Sequence, residues 1–318
     1  MTSIDHNIFS LSGEASIPQA PPEFKSGFVG IIGRPNVGKS TLMNQLVGQK
    51  IAITSSVAQT TRNRLRGILT TPEAQLIFVD TPGIHKPHHQ LGEVLVRNAK
   101  NAINAVDVVL FVVDGSVACG AGDRFIVDLL TRTETPVILG LNKIDQQPAN
   151  SQLVDDSYAA VAEAQKWPIV KFSAQTGAGL PELQQLLIEH LEPGPFYYPP
   201  DLVTDQPERF IMGELIREQI LVLTREEVPH SVAIAIDRVD ESPTITHILA
   251  TIHVERDSQK GILIGKGGSM LKAIGSEARE QIQKLIAGKV YLELFVKVQP
   301  KWRQSRMTLA ELGYRVEE

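Results

Sequence analysis

Short apolar runs recur along the first two thirds of the chain, at 27–32, 75–79, 108–113, 136–141 and 169–172. Between them the apolar residues fall at helical spacing, over 40–47, 91–105, 122–131, 153–165 and 180–191. A short unbroken apolar run bounded by turn residues fits a strand buried on both faces. Strands of that kind alternating with helices predict a mostly parallel sheet covered on both sides. Residues 68–72 add an antiparallel edge strand. At 193–200 the sequence reads Pro-Gly-Pro-Phe-Tyr-Tyr-Pro-Pro, which cannot continue a helix and favours an extended, stiff connector. Beyond it the pattern changes to a helix at 208–223, strands at 232–238 and 246–254, a helix at 269–286 and a strand at 290–298, with a short helix or tail at 308–314. The expected organisation is a disordered tail (1–26), an α/β domain (27–192), a linker (193–203) and an α+β domain with a C-terminal tail (204–318).

Composition narrows the class. The 318 residues are 42% hydrophobic and 21% charged, enough apolar material for two soluble cores. The net charge of -5 leaves no global argument for nucleic acid, so any such case must be local. Cys119 is the single cysteine. It excludes a disulfide within the chain and fits a reducing compartment; its place is a loop near a strand end. No apolar run reaches the roughly 18 residues that a membrane span needs. The first residues lack the hydrophobic block of a signal peptide, and Lys25 beside Asp5, Glu14 and Glu23 is unlike a transit peptide.

Four motifs stand at the ends of expected strands. Gly33-Arg34-Pro35-Asn36-Val37-Gly38-Lys39-Ser40 follows the first strand and opens a helix. Backbone N–H groups of such a glycine-rich turn cradle phosphate oxygens, and the helix N-terminus adds partial positive charge. Lys39 can reach the β and γ phosphates, and the Ser40 hydroxyl can ligate Mg²⁺. Asp80-Thr81-Pro82-Gly83, after the strand at 75–79, puts a carboxylate where a Mg²⁺-bridging acid belongs, with the Gly83 N–H able to sense a γ phosphate. Asn142-Lys143-Ile144-Asp145 follows the strand at 136–141. The Asp145 carboxylate can accept two hydrogen bonds from the guanine edge, which adenine cannot donate. Asn142 can bond the base edge, and the Lys143 stem can lie over the ring. In Ser173-Ala174-Gln175 a backbone N–H can bond guanine O6. Thr61, with Thr60 as runner-up, is the candidate switch threonine completing Mg²⁺ coordination. Lys39, Thr61 and Gly83 are thus the candidate catalytic groups, and Ser40, Thr61 and Asp80 the candidate Mg²⁺ ligands.

Four motifs in this order resemble the TRAFAC class of P-loop GTPases. The Gly33–Ser40 loop and the Thr60-Thr61-Arg62 segment resemble the Era family and its relatives. The resemblance implies GTP and GDP as ligands with Mg²⁺. Ras-like GTPases place a glutamine after the D-x-x-G motif, where this chain has Ile84, which cannot orient a water; slow intrinsic hydrolysis is expected. In related GTPases an asparagine at the place of Asn36 helps to hold K⁺, so Asn36 is a candidate K⁺ ligand or else a turn-former. His85, His88 and His89 read as an exposed loop rather than a metal site, since no carboxylate or cysteine falls at matching spacing.

In the second domain Gly265-Lys266-Gly267-Gly268 precedes the helix at 269–286. Glycines let a nucleic-acid backbone run close, and Lys266 offers charge to phosphate. With its helices and strands in this order the segment resembles the G-x-x-G loop of a type II KH domain, which clamps about four single-stranded nucleotides. Ile262 and Ile264 would line the base groove or pack beneath it. From Arg256 to Arg306 eleven Lys or Arg face four acids (Asp257, Glu277, Glu280 and Glu293), a local excess of positive charge. Lys301 and Arg303 flank Trp302, which is either a stacking aromatic or a core residue.

A P-loop GTPase domain followed by one type II KH domain is the architecture of the Era family. It implies binding to the 3′ end of 16S rRNA, a role in 30S subunit assembly, a cytoplasmic monomer and peripheral association with the inner face of the cell membrane. The competing reading is a membrane-associated signalling GTPase whose KH-like fold is a protein-interaction module.

Overall fold

The structure is a computed structural model and describes residues 17–54, 65–80, 83–84, 103–148, 151–224, 228, 231–286 and 288–302. The chain divides into two compact units between Asp205 and Gln206.

The first unit is built on a six-stranded sheet in the order β2-β3-β1-β4-β5-β6. Its strands are β1 (Lys25–Ile32), β2 (Leu65–Thr70), β3 (Ala74–Asp80), β4 (Val108–Asp114), β5 (Val137–Asn142) and β6 (Ile169–Lys171). All pairings are parallel except β2 with β3. Every residue of β3 and β5 is buried, as the continuous apolar runs require. Helices α1 (Lys39–Val47), α2 (Ala121–Leu130), α3 (Gln152–Gln165) and α4 (Leu180–Glu189) follow β1, β4, β5 and β6. Burying each large apolar side chain of this core, such as Phe78, Phe111 or Leu183, contributes about 1.5–3 kcal/mol.

Two boundaries differ from the sequence expectation. The first strand begins at Lys25, and Phe24 before it is already buried, its ring 4.3 Å from that of Phe196. The edge strand ends at Thr70 because Thr71 and Pro72 form the turn into β3, closed by Thr71 N–H to the Ala74 carbonyl at 2.8 Å. Residues 197–205, from the end of the proline-rich stretch onward, bond to this hairpin. Ile68 N–H donates to the Val203 carbonyl at 2.8 Å, and the Thr204 hydroxyl donates to the Arg66 carbonyl at 2.7 Å. Arg66 also pairs with Asp205 at 2.7 Å. Gln75, fully buried, accepts the N–H groups of Tyr197 (2.8 Å) and Tyr198 (3.0 Å) and donates to the Tyr198 carbonyl at 2.9 Å. An otherwise bare sheet edge is therefore covered by the chain itself.

The second unit contains α5 (Glu208–Leu223), β7 (Ala233–Glu241), β8 (Ile245–Val254), α6 (Asp257–Ile264), α7 (Ser269–Gln283) and β9 (Lys289–Val298). Its sheet runs β7-β8-β9. β7 and β8 are antiparallel, with an irregularity between Ile236 and Arg238. β8 and β9 are parallel from Ile245↔Lys289 to Val254↔Val298, and α6 and α7 supply the crossover that parallel neighbours need.

Helix α6 is an addition to the sequence reading, which left 257–264 outside any helix. Gln259 caps it by accepting the N–H groups of Glu255 (2.9 Å) and Arg256 (3.1 Å), and Gln259 and Leu263 form its buried face. Trp302 is buried, its indole N–H donating to the Ser231 carbonyl at 3.1 Å, so it is a core residue and not an open stacking platform. Most of the helix expected at 91–105 and all of the segment at 308–314 lie outside the described residues. Among the described residues no helix is long and apolar enough to cross a membrane.

Candidate functional site

The loop between β1 and α1 is shaped by contacts that leave no room for side chains. A Cβ on Gly33 would lie 2.3 Å from the Val112 carbonyl oxygen. Gly38 has φ +95° and would bring a Cβ to 2.3 Å from the Asn142 carboxamide. Asn36, at the exposed rim, also sits in the left-handed region, φ 63°, so its turn-forming role is fulfilled. Lys39 is buried and bends over the loop, donating to the carbonyls of Gly33 (3.2 Å) and Arg34 (3.0 Å). Burial pushes its pKa down, an effect that Asp80 nearby offsets in part.

The two described Mg²⁺ candidates meet. The Ser40 hydroxyl donates to Asp80 Oδ2 at 3.0 Å, and Asp80 is fully buried at the end of β3. One hydroxyl and one carboxylate, both hard oxygen donors beside a phosphate loop, fit Mg²⁺. Gly83 presses on the loop, where a Cβ would stand 2.8 Å from Pro35 N. The Ile84 side chain is 2% exposed within the core, and its N–H is bonded to the Gly33 carbonyl at 3.1 Å. Ile84 therefore ties the end of the D-x-x-G segment to the phosphate loop. Thr60, Thr61, Thr81, Pro82, His85, His88 and His89 lie outside the described residues.

The Arg34 side chain turns away from the loop interior. Its Nε donates to Asp123 Oδ1 at 2.6 Å. Burial opposes the guanidinium charge, but the Asp123 carboxylate outweighs it and raises the Arg34 pKa.

At the Asn142-Lys143-Ile144-Asp145 motif, Asn142 is buried and its carboxamide is engaged within the protein. It donates to the Val37 carbonyl and accepts the Ala174 N–H, both at 2.8 Å. Asn142 thereby fastens the phosphate loop to the Ser173–Gln175 loop. Lys143 adopts φ 65° and its ammonium pairs with Asp114 at 2.6 Å. Burial works against the Asp114 charge, yet Lys143 and Ser116 hold its pKa below the usual carboxylate range. Asp145 is exposed, with Oδ1 accepting the Ser173 hydroxyl at 2.5 Å. Ser173 in turn accepts the Thr176 N–H at 3.1 Å. Ile144 is half-buried beside Asp145, and Gln175 is exposed. Asp114 and Asp123 escaped the sequence reading because neither belongs to a spaced motif; their roles come from the residues that the sheet brings beside them.

In the second unit the glycine turn joins two helices. Gly265, Gly267 and Gly268 have φ of +71°, +60° and +82°, and a Cβ on Gly265 would meet the Met270 Cβ at 2.7 Å. Only glycine fits this backbone at position 265. Lys266 stands exposed at the turn. Ile262 is 50% exposed, Ile264 half-buried, and Leu263 between them is the residue that packs beneath. Lys301 is exposed, with φ 56°; Arg303 lies outside the described residues. Among the described residues no cluster of His, Cys, Asp and Glu could hold a metal in the manner of a zinc site.

Both units match known families. Residues 28–143 match the family described as 50S ribosome-binding GTPase, and residues 227–303 match the KH domain. The chain is 84% identical to the GTPase Era of a Nostoc species over 318 residues, which is 100% of this chain and 98% of that protein. It is 68% identical to the GTPase Era of a Synechocystis species, over 96% of this chain and 97% of the relative. Among solved structures it resembles Era in complex with MgGDPNP and nucleotides 1506–1542 of 16S ribosomal RNA, with TM-score 0.85 and 39% identity over 92% of this chain and 100% of that one. A variant of Aquifex aeolicus Era bound to GDP·AlF4⁻ matches with the same coverage, identity and TM-score. The GTPase and KH family matches and the near-complete coverage of relatives up to 84% identical agree: the chain belongs to the Era family of GTPases.

Proposed function

We propose that this GTPase binds the 3′ end of 16S rRNA through its KH turn and acts in 30S subunit assembly, with the nucleotide setting when RNA is held and released. The observation that carries this reading is the presence, in one chain matched over its length by Era proteins, of a phosphate loop and a Gly265-Lys266-Gly267-Gly268 turn. The Era structure bound to MgGDPNP and a 16S rRNA fragment supports it.

In this reading the N–H groups of the Gly33–Ser40 loop and the Lys39 ammonium take the β and γ phosphates. Ser40 and Asp80, with Thr61, hold Mg²⁺, which supplies charge neutralisation on the phosphates. The Gly83 N–H senses the γ phosphate. Asp145 reads the guanine amino edge and is held in place by Ser173, while the Lys143 stem covers the base. With an alkyl group at position 84, no side chain there can align water, and intrinsic hydrolysis is slow. Asn36, exposed at the loop rim, would help to hold a K⁺ ion, which when bound would supply positive charge beside the phosphates. Replacing K⁺ by Na⁺ then lowers the hydrolysis rate; an unchanged rate removes K⁺ from the mechanism.

The RNA reading is tested with a labelled oligonucleotide of the 16S rRNA 3′ end, with GTP analogue or GDP, for wild type and Gly265→Asp/Lys266→Glu. Tight binding in the GTP state that disappears in the double variant is expected. Absence of binding by wild type in both states would remove the ribosomal role and leave the GTPase intact.

A further inference from the structure

We propose that Asp123, on α2, is a positioning residue for the phosphate-binding loop. The inference rests on the nucleotide reading of that loop and adds a group outside all four sequence motifs.

Asp123 is 1% exposed, and its two oxygens divide their work. Oδ2 accepts the Gly120 N–H at 3.1 Å, which caps α2, and the Tyr158 hydroxyl from α3 at 3.5 Å. Oδ1 accepts Arg34 Nε at 2.6 Å. A helix cap needs only the first of these contacts. The second reaches a residue of the phosphate loop 89 positions earlier in the chain. The first turn of α2 leaves room for it: a Cβ on Gly122 would stand 2.7 Å from Arg34 Cδ, so a side chain there would make the Arg34 stem shift.

The asymmetry of burial decides the strength of the link. The Arg34 side chain keeps 31% exposure while the Asp123 side chain keeps 1%. An ion pair between two exposed groups holds little, but a carboxylate withdrawn from water is strongly disfavoured without its cation. Asp123 therefore holds Arg34 in one place. The Arg34 carbonyl is one of the two that receive the Lys39 ammonium, at 3.0 Å. The chain of contacts runs from α2 and α3 through Asp123 to the Arg34 backbone and on to Lys39. It fixes the rim of the loop opposite the side that Asn142 holds through the Val37 carbonyl.

The test is release of fluorescent mant-GDP from the full-length protein. Asp123→Ala is expected to speed release about tenfold, a size usual for coupled contacts. Asp123→Asn keeps one acceptor, for Arg34 or for Gly120 but not for both, and gives a smaller change than Asp123→Ala. Arg34→Ala reproduces the effect of Asp123→Ala, and the double variant releases no faster than either single variant. Hydrolysis at saturating GTP changes less than KM. An Asp123→Ala protein with lowered Tm and unchanged release would overturn the proposal and leave Asp123 as a cap of α2 only. Additive effects of the two single variants would overturn it too. Should Asp123→Ala not fold, Arg34→Ala alone decides, and wild-type release from that variant refutes the link. Failure of wild type to bind mant-GDP would instead refute the nucleotide reading.

Discussion

At the scale of single residues, the polar groups of the site hold one another in place. Asp145 keeps one oxygen for Ser173 and stands exposed, as its proposed role in reading the base requires. Asp145→Asn turns an acceptor into a partial donor, and GTP affinity is expected to fall at least ~100-fold because the guanine donors lose their partner; nucleotide competition against xanthosine phosphates measures it. A second residue-scale prediction concerns His253, buried on β8. Burial, helped by the Lys297 charge and opposed by the Gln299 hydrogen bond and the Asp237 charge, lowers its pKa from the ordinary 6.5. The unfolded chain therefore takes up this proton first as pH falls. The stabilisation is complete above pH 6.5 and is lost as pH drops through the window between that value and the lower folded pKa. His253→Gln is expected to flatten this part of the stability–pH profile in urea unfolding. A profile identical to wild type would show that His253 does not set it.

At the scale of elements, the most consequential device is the strip of residues 197–205 on the β2–β3 hairpin. Gln75, itself fully buried, receives two backbone N–H groups from this strip and gives one hydrogen bond back to it. Gln75→Leu would leave the Tyr197 and Tyr198 amides without that partner, at about 1–3 kcal/mol of stability. A lowered urea midpoint with an unchanged m-value checks it. The sequence made strands and motifs legible because buried parallel strands and phosphate loops carry local signals. It did not reveal α6, whose helix holds Gly261 and whose cap comes from a glutamine three residues in rather than from a serine or aspartate at the start. Nor did it reveal that Asn142 and Ile84 brace the loops, since partners such as Val37 and Gly33 become neighbours only when the sheet forms.

At the scale of the whole molecule, two units of different architecture lie on one chain, and the first is completed by residues that read as connector. The Thr204 hydroxyl bonds the carbonyl of a residue 138 positions earlier, Arg66. That separation has a consequence in time. At the roughly 5–20 residues per second of protein synthesis, β2 emerges some 7–28 seconds before the residues that cover it. Over that interval the hairpin edge presents open backbone groups to whatever strand comes near, and the buried glutamine beside it awaits its partners. The newborn chain is thus most open to joining a wrong neighbour just before its final dozen first-unit residues arrive, and a pause in translation there would lengthen the exposure.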